Sequence, residues 1–239
     1  MEAATGTEVR NVRFGGELKT LREVRSNFAH RSSPKLIALA VLAAAAARIA
    51  VGDIGWGDAA AAIAMLVVYP FGEWAIHVYL LHMKPFVLRG RKVETIAARA
   101  HRTHHRHPND LDQLLLDPWQ VGALLFGAVP LVAAAGGGIA ALITGSFPVG
   151  PVLSSIFMGY VLVLVYEWTH FLIHTAYRPR TRLYRSVWRN HRLHHFKNER
   201  YWHGVTQNFS DRVLGTNPDH RQVERSRTAR TLDAGPARR

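Results

Sequence analysis

The chain has 239 residues, enough for one compact domain, and it carries 30 Lys and Arg against 17 Asp and Glu. It has no cysteine, which excludes disulfide bonds, thiolate metal sites and cysteine nucleophiles. The excess positive charge fits either the phosphates of a nucleic acid or the anionic inner face of a membrane, and the distribution of charge along the chain decides between them.

Four apolar stretches follow a basic segment of residues 1–34. They run from about Leu36 to Val51, Ala59 to Leu81, Trp119 to Thr144 and Val149 to Ile173. A helix needs roughly 20 apolar residues to cross the hydrocarbon core of a bilayer, and the last three stretches meet that length. The first is marginal and contains Arg48, which must either reach the interface or face other helices.

The third stretch contains Pro130 and the glycine run 136–138, so it is predicted either to kink or to bend back as a hairpin. The connection from Gly145 to Gly150 is very short. The third and fourth stretches are therefore expected to be antiparallel neighbours.

The basic residues separate into three segments: before the first stretch, between the second and third, and after the fourth. The loops around residues 53–58 and around Ser146 carry no Lys or Arg. This distribution predicts four crossings with both termini in the cytoplasm, and it accounts for the charge without a nucleic-acid partner. The expected organisation is a cytosolic segment 1–34, a membrane domain 35–217 and a basic, disordered tail 218–239.

Ten of the 14 histidines fall into four groups, at the ends of the second and fourth stretches and in two His-x-x-His-His boxes. The groups are His77 and His82; His101, His104 and His105; His170 and His174; and His191, His194 and His195. The predicted topology brings all four groups to the cytoplasmic membrane surface. Positions i, i+3 and i+4 share one face of a helix.

The spacing of His77 and His82 is the weakest point of this geometry. These two residues lie five positions apart, which places them roughly 140° apart around an ideal helix. They must flank a metal cluster or lie where the end of the helix loosens.

Imidazole is the commonest metal ligand in proteins and suits iron, zinc, copper and nickel. Ten imidazoles exceed what one ion binds, and a structural zinc site would use four ligands with no open position. The pattern therefore favours two ions with open positions, and the residues alone do not separate iron from zinc.

Glu167 lies one turn before His170 on the same helical face. It is predicted either to orient that imidazole from the second shell of ligands or to be a solvated carboxylate at the helix end. Asp110, Asp112 and Asp211 are further candidates for orienting the ligands. His107 and His203 lie close to the boxes but outside the pattern, so they are expected not to be ligands.

The boxes, their order and their membrane context resemble the fatty acid hydroxylase/sterol desaturase superfamily, most closely the fatty acid 2-hydroxylases. Much of the likeness lies in Asn190–Asn198, which reads NHRLHHFKN, in the Gly-Val-Thr of residues 204–206 and in the Asp-Arg-Val-Leu-Gly-Thr of residues 211–216. The similarity covers roughly Pro70 to Asn217.

The resemblance implies an all-α integral membrane protein with about four transmembrane helices under a cytosolic helical cap that carries histidine boxes. It implies a dimetal centre, O2 as the oxidant and a lipid C–H bond as the target. Carried over by position, the ligands are the ten histidines: His77, His82, His101, His104, His105, His170, His174, His191, His194 and His195.

The expected activity is hydroxylation of a lipid acyl chain by two ions, most consistent with iron, although purified protein can contain zinc. No cytochrome b5 domain is recognisable in the chain, so electrons are expected from a separate donor of the cytochrome b5, ferredoxin or rubredoxin type. Two alternatives stay open. One is a sterol or other lipid desaturase or oxidase of the same superfamily, and the other is a non-catalytic membrane protein that binds or transports metal.

Overall fold

A computed structural model of the protein describes residues 12–232, and it is mostly helical. The helices are α1 Leu21–His30, α2 Ser32–Val51, α3 Trp56–Ala75, α4 Ile96–Arg106, α5 Pro118–Ala123, α6 Val129–Thr144, α7 Val149–Ile173, α8 Arg182–Phe196 and α9 Phe209–Val213. Ile76–Leu81 and Leu124–Ala128 form π-helical turns, and Gly15–Glu17, Leu111–Gln113 and His220–Gln222 form 3-10 turns.

Four helical units are long and apolar enough to cross a membrane. They are Ser32–Val51, Trp56–Leu81, Leu111–Thr144 and Val149–Ile173, here called spans 1 to 4. Many apolar side chains on these spans point away from the protein, such as Leu142 at 89% exposure and Phe126 at 86%. Such a surface suits hydrocarbon and not water, so the predicted all-α membrane fold with four spans is confirmed.

Helix α7 is the central helix of the bundle and packs against α2, α3 and α6. A Cβ atom at Gly159 of α7 would lie 2.5 Å from a methyl group of Val129, and one at Gly137 of α6 would lie 2.4 Å from Val152. Small residues therefore allow the spans to approach closely, as is common between helices in lipid.

Span 3 is one helical unit that contains a π-helical turn, and not a hairpin. Its helical structure runs from Pro118 to Thr144, interrupted by the π-helical turn Leu124–Ala128. This wide turn lies just before Pro130, which has no N–H to donate and so disturbs the hydrogen bonds of the preceding turn.

Two short strands between span 2 and α4 were not predicted from the sequence. Strands β1 Phe86–Leu88 and β2 Arg91–Val93 pair antiparallel. Their turn places Arg89 and Gly90 at φ values of 50° and 75°, the backbone conformation of a tight two-residue hairpin.

The histidine-bearing helices α4 and α8 form a cap at one end of the bundle, together with the segments that follow them. Residues 218–232, for which the composition predicted disorder, pack against this cap, and Ala229 and Leu232 are buried there. Residues 1–11 and 233–239 lie outside the described part of the chain. The boundaries 34/35 and 217/218 stay predictions.

A buried ion pair joins three spans at the opposite end of the bundle. Arg48 donates from Nε and Nη2 to the two carboxylate oxygens of Asp58, at 2.6 and 2.7 Å. Asp58 also accepts from the hydroxyl of Ser154 at 2.6 Å. Arg48 therefore faces the bundle, which is one of the two arrangements expected for a charge in span 1.

Replacing Arg48 by Leu should lower the unfolding midpoint, because Asp58 has little access to solvent and is left without its cation. The double variant Arg48→Leu with Asp58→Asn should recover most of this loss, since no buried charge remains unpaired. Thermal unfolding in detergent micelles measures both variants. Equal destabilisation in the single and double variants would show that the ion pair is not the cause.

Candidate metal centre

All ten histidines of the four sequence groups meet in the cap, where they form two adjacent clusters. Site 1 consists of His77, His82, His101, His105 and His194. Site 2 consists of His104, His170, His174, His191 and His195. Within each cluster the candidate ligand atoms lie within 4.8 Å of one another, and every ring except that of the half-buried His82 is buried.

The imidazole nitrogens of site 1 approach one another as ligands of one ion do. His101 Nε2 lies 3.2 Å from His77 Nε2, 3.1 Å from His82 Nε2 and 3.1 Å from His105 Nε2. His194 Nε2 lies 3.2 Å from His82 Nε2. Nitrogens bound at about 2.1 Å in neighbouring positions around an ion lie about 3 Å apart, so these distances fit a metal ion.

Site 2 repeats this arrangement. His195 Nε2 lies 3.1 Å from His104 Nε2 and 3.0 Å from His191 Nε2, which lies 3.1 Å from His174 Nε2. The buried Nε2 of His170 has no hydrogen-bond partner among residues 12–232. Buried polar atoms rarely stay without a partner, and a cation would supply one here. The residues of both sites therefore fit a metal ion.

A π-helical turn explains the five-residue spacing of His77 and His82. The turn Ile76–Leu81 is wider than an α-helical turn, and the N–H of His82 donates to the carbonyl of His77 at 3.1 Å. This widening rotates the two histidines towards one side, where their ring centres lie 4.9 Å apart. The geometric difficulty noted in the sequence disappears because the helix is not regular here.

Each His-x-x-His-His box is divided between the two sites. In α4, His101 and His105 belong to site 1 and His104 belongs to site 2, whereas α8 gives one histidine to site 1 and two to site 2. The ring centres of His105 and His195 lie only 4.1 Å apart where the clusters meet. Neither site can therefore form without both cap helices.

Main-chain carbonyls hold three rings of site 1 from outside. Nδ1 of His77 donates to the carbonyl of His203 at 2.5 Å, and Nδ1 of His194 donates to the carbonyl of Tyr201 at 2.8 Å. Nδ1 of His105 donates to the carbonyl of Ala229 at 2.7 Å. A carbonyl only accepts, so Nδ1 carries the proton and the Nε2 lone pair is left for an ion.

The loop that provides two of these carbonyls is itself fixed by Asp211. Its carboxylate accepts from the backbone N–H groups of His203 at 2.9 Å and Gly204 at 2.7 Å. A Cβ atom at position 204 would lie 1.9 Å from the carbonyl oxygen of Gln207, so only glycine fits. Asp211 therefore acts on the loop and through it on His77.

Glu73 is a functional candidate that sequence analysis missed. It is buried at the end of α3, where it accepts from the N–H groups of Val205 and Thr206, the latter at 3.0 Å, and from the Thr206 hydroxyl. It thus ties the Gly-Val-Thr segment to span 2. A carboxylate inside an apolar span is a signal that could have identified it.

Glu167 is buried, but its carboxylate contacts other spans and not a histidine. It accepts from the Ser33 hydroxyl at 2.6 Å and from the N–H of Leu116 at 3.2 Å. Among the described residues, no hydrogen bond joins it to His170. Its role in orienting a ligand stays a prediction. Its hydrogen bonds connect span 4 to spans 1 and 3.

The other acidic residues and histidines near the boxes lie outside the two clusters. Asp110 and Asp112 pair with Arg13 and Arg31 at the edge of the cap. His107 is exposed. His203 is buried outside the two clusters, with its ring centre 5.2 Å from that of His194.

Burial keeps the cap histidines neutral. The loss of solvation, followed by the effect of neighbouring histidines, lowers the pKa of each imidazole well below its usual value. This holds for His101, His104, His105, His174, His191, His194 and His195. Neutral imidazole is the form that binds a metal ion.

The stability of the metal-free protein should fall as the pH is lowered, because its buried histidines are neutral in the folded state. The folded-state pKa values lie below the unfolded value of 6.5, so the unfolded chain takes up protons first as the pH falls. Stability should be constant above about pH 7.5 and fall progressively below about pH 6.5. Unfolding midpoints of chelator-treated protein across this range provide the test, and a midpoint that rises on acidification would contradict it.

Comparisons with known proteins identify a family and relatives for this chain. The sequence model of the fatty acid hydroxylase family matches residues 62–216. The dihydroceramide fatty acyl 2-hydroxylase FAH2 of Arabidopsis thaliana is 27% identical over 158 residues, which are 65% of this chain and 62% of that protein. FAH1 of the same plant is 26% identical over 153 residues, 64% of this chain and 58% of that protein. The chain thus spans less than two thirds of either relative.

A solved structure has the same fold. It is described as full-length scs7p with only the hydroxylase domain visible, and it matches with a TM-score of 0.63 at 20% identity. The match covers 82% of this chain and 68% of that one. The likeness in fold therefore extends over most of the chain.

Proposed function

Because this chain belongs to the fatty acid hydroxylase family, we propose that it inserts oxygen from O2 into a C–H bond of a lipid acyl chain. The observation that carries the proposal is the pair of five-histidine clusters, side by side at one end of an apolar bundle. Ions held by these two clusters could act on one bound substrate, and the apolar surface of the bundle would keep a lipid close to them.

The proposed ligands are the five histidines of site 1 and the five of site 2, and the proposed metal is iron. An unactivated alkyl C–H bond does not yield to acid–base chemistry, and redox-active ions supply the O2 activation and electron transfer that this oxidation requires. Zinc has no redox chemistry, so zinc bound to the same imidazoles would give an inactive protein.

The protein contributes orientation and exclusion of water. The carbonyls of Tyr201, His203 and Ala229 hold three imidazoles with their Nε2 atoms directed to site 1. Burial of the clusters keeps bulk water from the reacting centre, which limits side reactions. The apolar outer surface of the spans allows an acyl chain to approach from the bilayer.

We place the metal centre and both termini on the cytoplasmic side of the membrane. The loops at the opposite end of the bundle, around residues 53–58 and 145–148, carry no Lys or Arg, whereas basic residues are frequent at the end that bears the cap. A cytoplasmic electron donor of the cytochrome b5, ferredoxin or rubredoxin type then reaches the cap directly.

The arrangement argues against metal transport. A transporter places its ionisable ligands near the middle of the membrane, between helices that can open to either side. Here all ten histidines lie at span ends or in the cap.

Desaturation by the same centre is the other alternative, and it depends on where the substrate carbon lies. The mass of the product distinguishes desaturation from hydroxylation.

The test is oxidation of lipid in membranes that contain the iron-loaded protein, with O2 and a reductant system. Products heavier than the lipid by one oxygen atom are expected, and both His104→Ala at site 2 and His194→Ala at site 1 should abolish them. Exposed His107→Ala is the matched control and should retain activity. Lipid mass spectrometry measures the product, and hydroxylation that survives in both His104→Ala and His194→Ala would defeat the assignment.

A further inference from the structure

The C-terminal segment from Asp219 to Leu232 lies beyond the matched family region, which ends at residue 216. It is called the strap here, because it crosses the outer surface of the cap from α8 to α4. Its composition is polar and basic, so its position must come from specific contacts and not from a large apolar core.

The first group of contacts fixes the strap to the segment that follows α8. The N–H of Ser226 donates to the carbonyl of Lys197 at 2.8 Å, and Asn198 Nδ2 donates to the carbonyl of Glu224 at 3.1 Å. The Thr228 hydroxyl donates to the carboxylate of Glu199 at 2.6 Å. Several such bonds in one short segment give it a defined path.

The second group of contacts joins the end of the strap to both α4 and α8. Nη1 of Arg102 donates to the carbonyl of Leu232 at 2.6 Å, and Arg102 is buried and pairs with Glu94. The guanidinium of Arg230 lies 5.7 Å from the ring centre of Phe196 in α8. The strap therefore bridges the two helices that carry the His-x-x-His-His boxes.

Between these two groups of contacts the strap reaches a proposed metal ligand. Ala229 is 3% exposed, and its carbonyl accepts from Nδ1 of His105 at 2.7 Å. Because this bond places the proton on Nδ1, it leaves Nε2 of His105 free, 3.1 Å from Nε2 of His101. The strap thus selects the form and direction of the ring that a metal ion at site 1 requires.

The two sites differ in this kind of support. Three rings of site 1 donate to main-chain carbonyls, one of them in the strap. At site 2, the buried Nδ1 atoms of His104, His191 and His195 have no hydrogen-bond partner among residues 12–232. Removing the strap should therefore affect site 1 and leave site 2 with the contacts it has.

We propose that the strap is a positioning element that holds His105 through the Ala229 carbonyl and thereby retains the ion of site 1. The proposal rests on the two-metal function proposed above. Loss of an outer partner of a ligating histidine typically weakens metal binding by about 10–100-fold, and we expect a change of this size at site 1 alone.

Two truncations of the full chain test the strap. A chain that ends after Pro218 lacks it, and a chain that ends after Leu232 keeps it and lacks only residues 233–239. Each protein is loaded with Zn²⁺, and release of the ions to a chromogenic chelator is followed over time. The shorter chain should release one of its two ions about 10–100-fold faster, and the longer chain should match the full-length protein.

A pair of substitutions tests the same contact without truncation, should the shorter chain fail to fold. Ala229→Trp introduces a large side chain at a buried position and should lift the strap, whereas Arg227→Trp introduces it at an exposed one. Faster release of one ion is expected only for Ala229→Trp. Equal release rates in these two variants, or equally faster release of both ions in Ala229→Trp, would overturn the proposal.

A background substitution separates positioning of His105 from general stabilisation of the cap. In a His105→Ala background, Ala229→Trp should add no further effect on ion release, because the ligand that the strap holds is already absent. In a His170→Ala background, which weakens site 2, the effect of Ala229→Trp should persist. Additive effects in the His105→Ala background would contradict a role through this ring.

These measurements use metal release and need no lipid substrate. Site-selective release from a protein that does not oxidise lipid would support the positioning role of the strap and disprove the proposed function. Lipid oxidation by a protein whose ion release is insensitive to the strap would do the reverse.

Discussion

The Nε2 atoms of nine imidazoles face one another across distances of about 3 Å inside the two clusters, and much of the cap is arranged around this constraint. Without a cation such an arrangement leaves buried acceptors without donors, which is costly. The outward N–H groups of three site 1 rings are bound by main-chain carbonyls, and Asp211 and Glu73 fix the loop that supplies two of them. The orientation of the imidazoles thus depends on main-chain carbonyls, and the position of two of these carbonyls depends in turn on Asp211 and Glu73.

The membrane spans also position the histidines, because spans 2 and 4 each end in a histidine pair whose depth in the bundle depends on how the spans pack. Polar groups inside the bundle are joined across spans: Arg48 with Asp58 at one end and Glu167 with Ser33 nearer the cap. In an apolar surrounding, a slip of one helix against another would leave these groups without partners. The registers of spans 2 and 4, each of which ends in a histidine pair, are thereby fixed relative to span 1.

The sequence predicted the four spans and the grouping of the ten histidines, because both depend on the composition and spacing of residues along the chain. It did not predict the π-helical turn at Ile76–Leu81, since a wide turn has no residue signature and depends on the tertiary position of His82. It also missed the packing of residues 218–232 on the cap, because several of their contacts are made by backbone carbonyls and N–H groups, which every sequence contains. The position of Glu73 was readable in principle as a carboxylate within an apolar stretch.

The division of each His-x-x-His-His box between two sites links the occupancies of those sites. An ion at site 1 would hold both α4 and α8, which also carry three of the five imidazoles of site 2. The conformational entropy lost on ordering these helices is then lost only once, so the second ion binds to a cluster that is already rigid. Filling of one site should therefore aid filling of the other, although each ion would be held by its own five imidazoles.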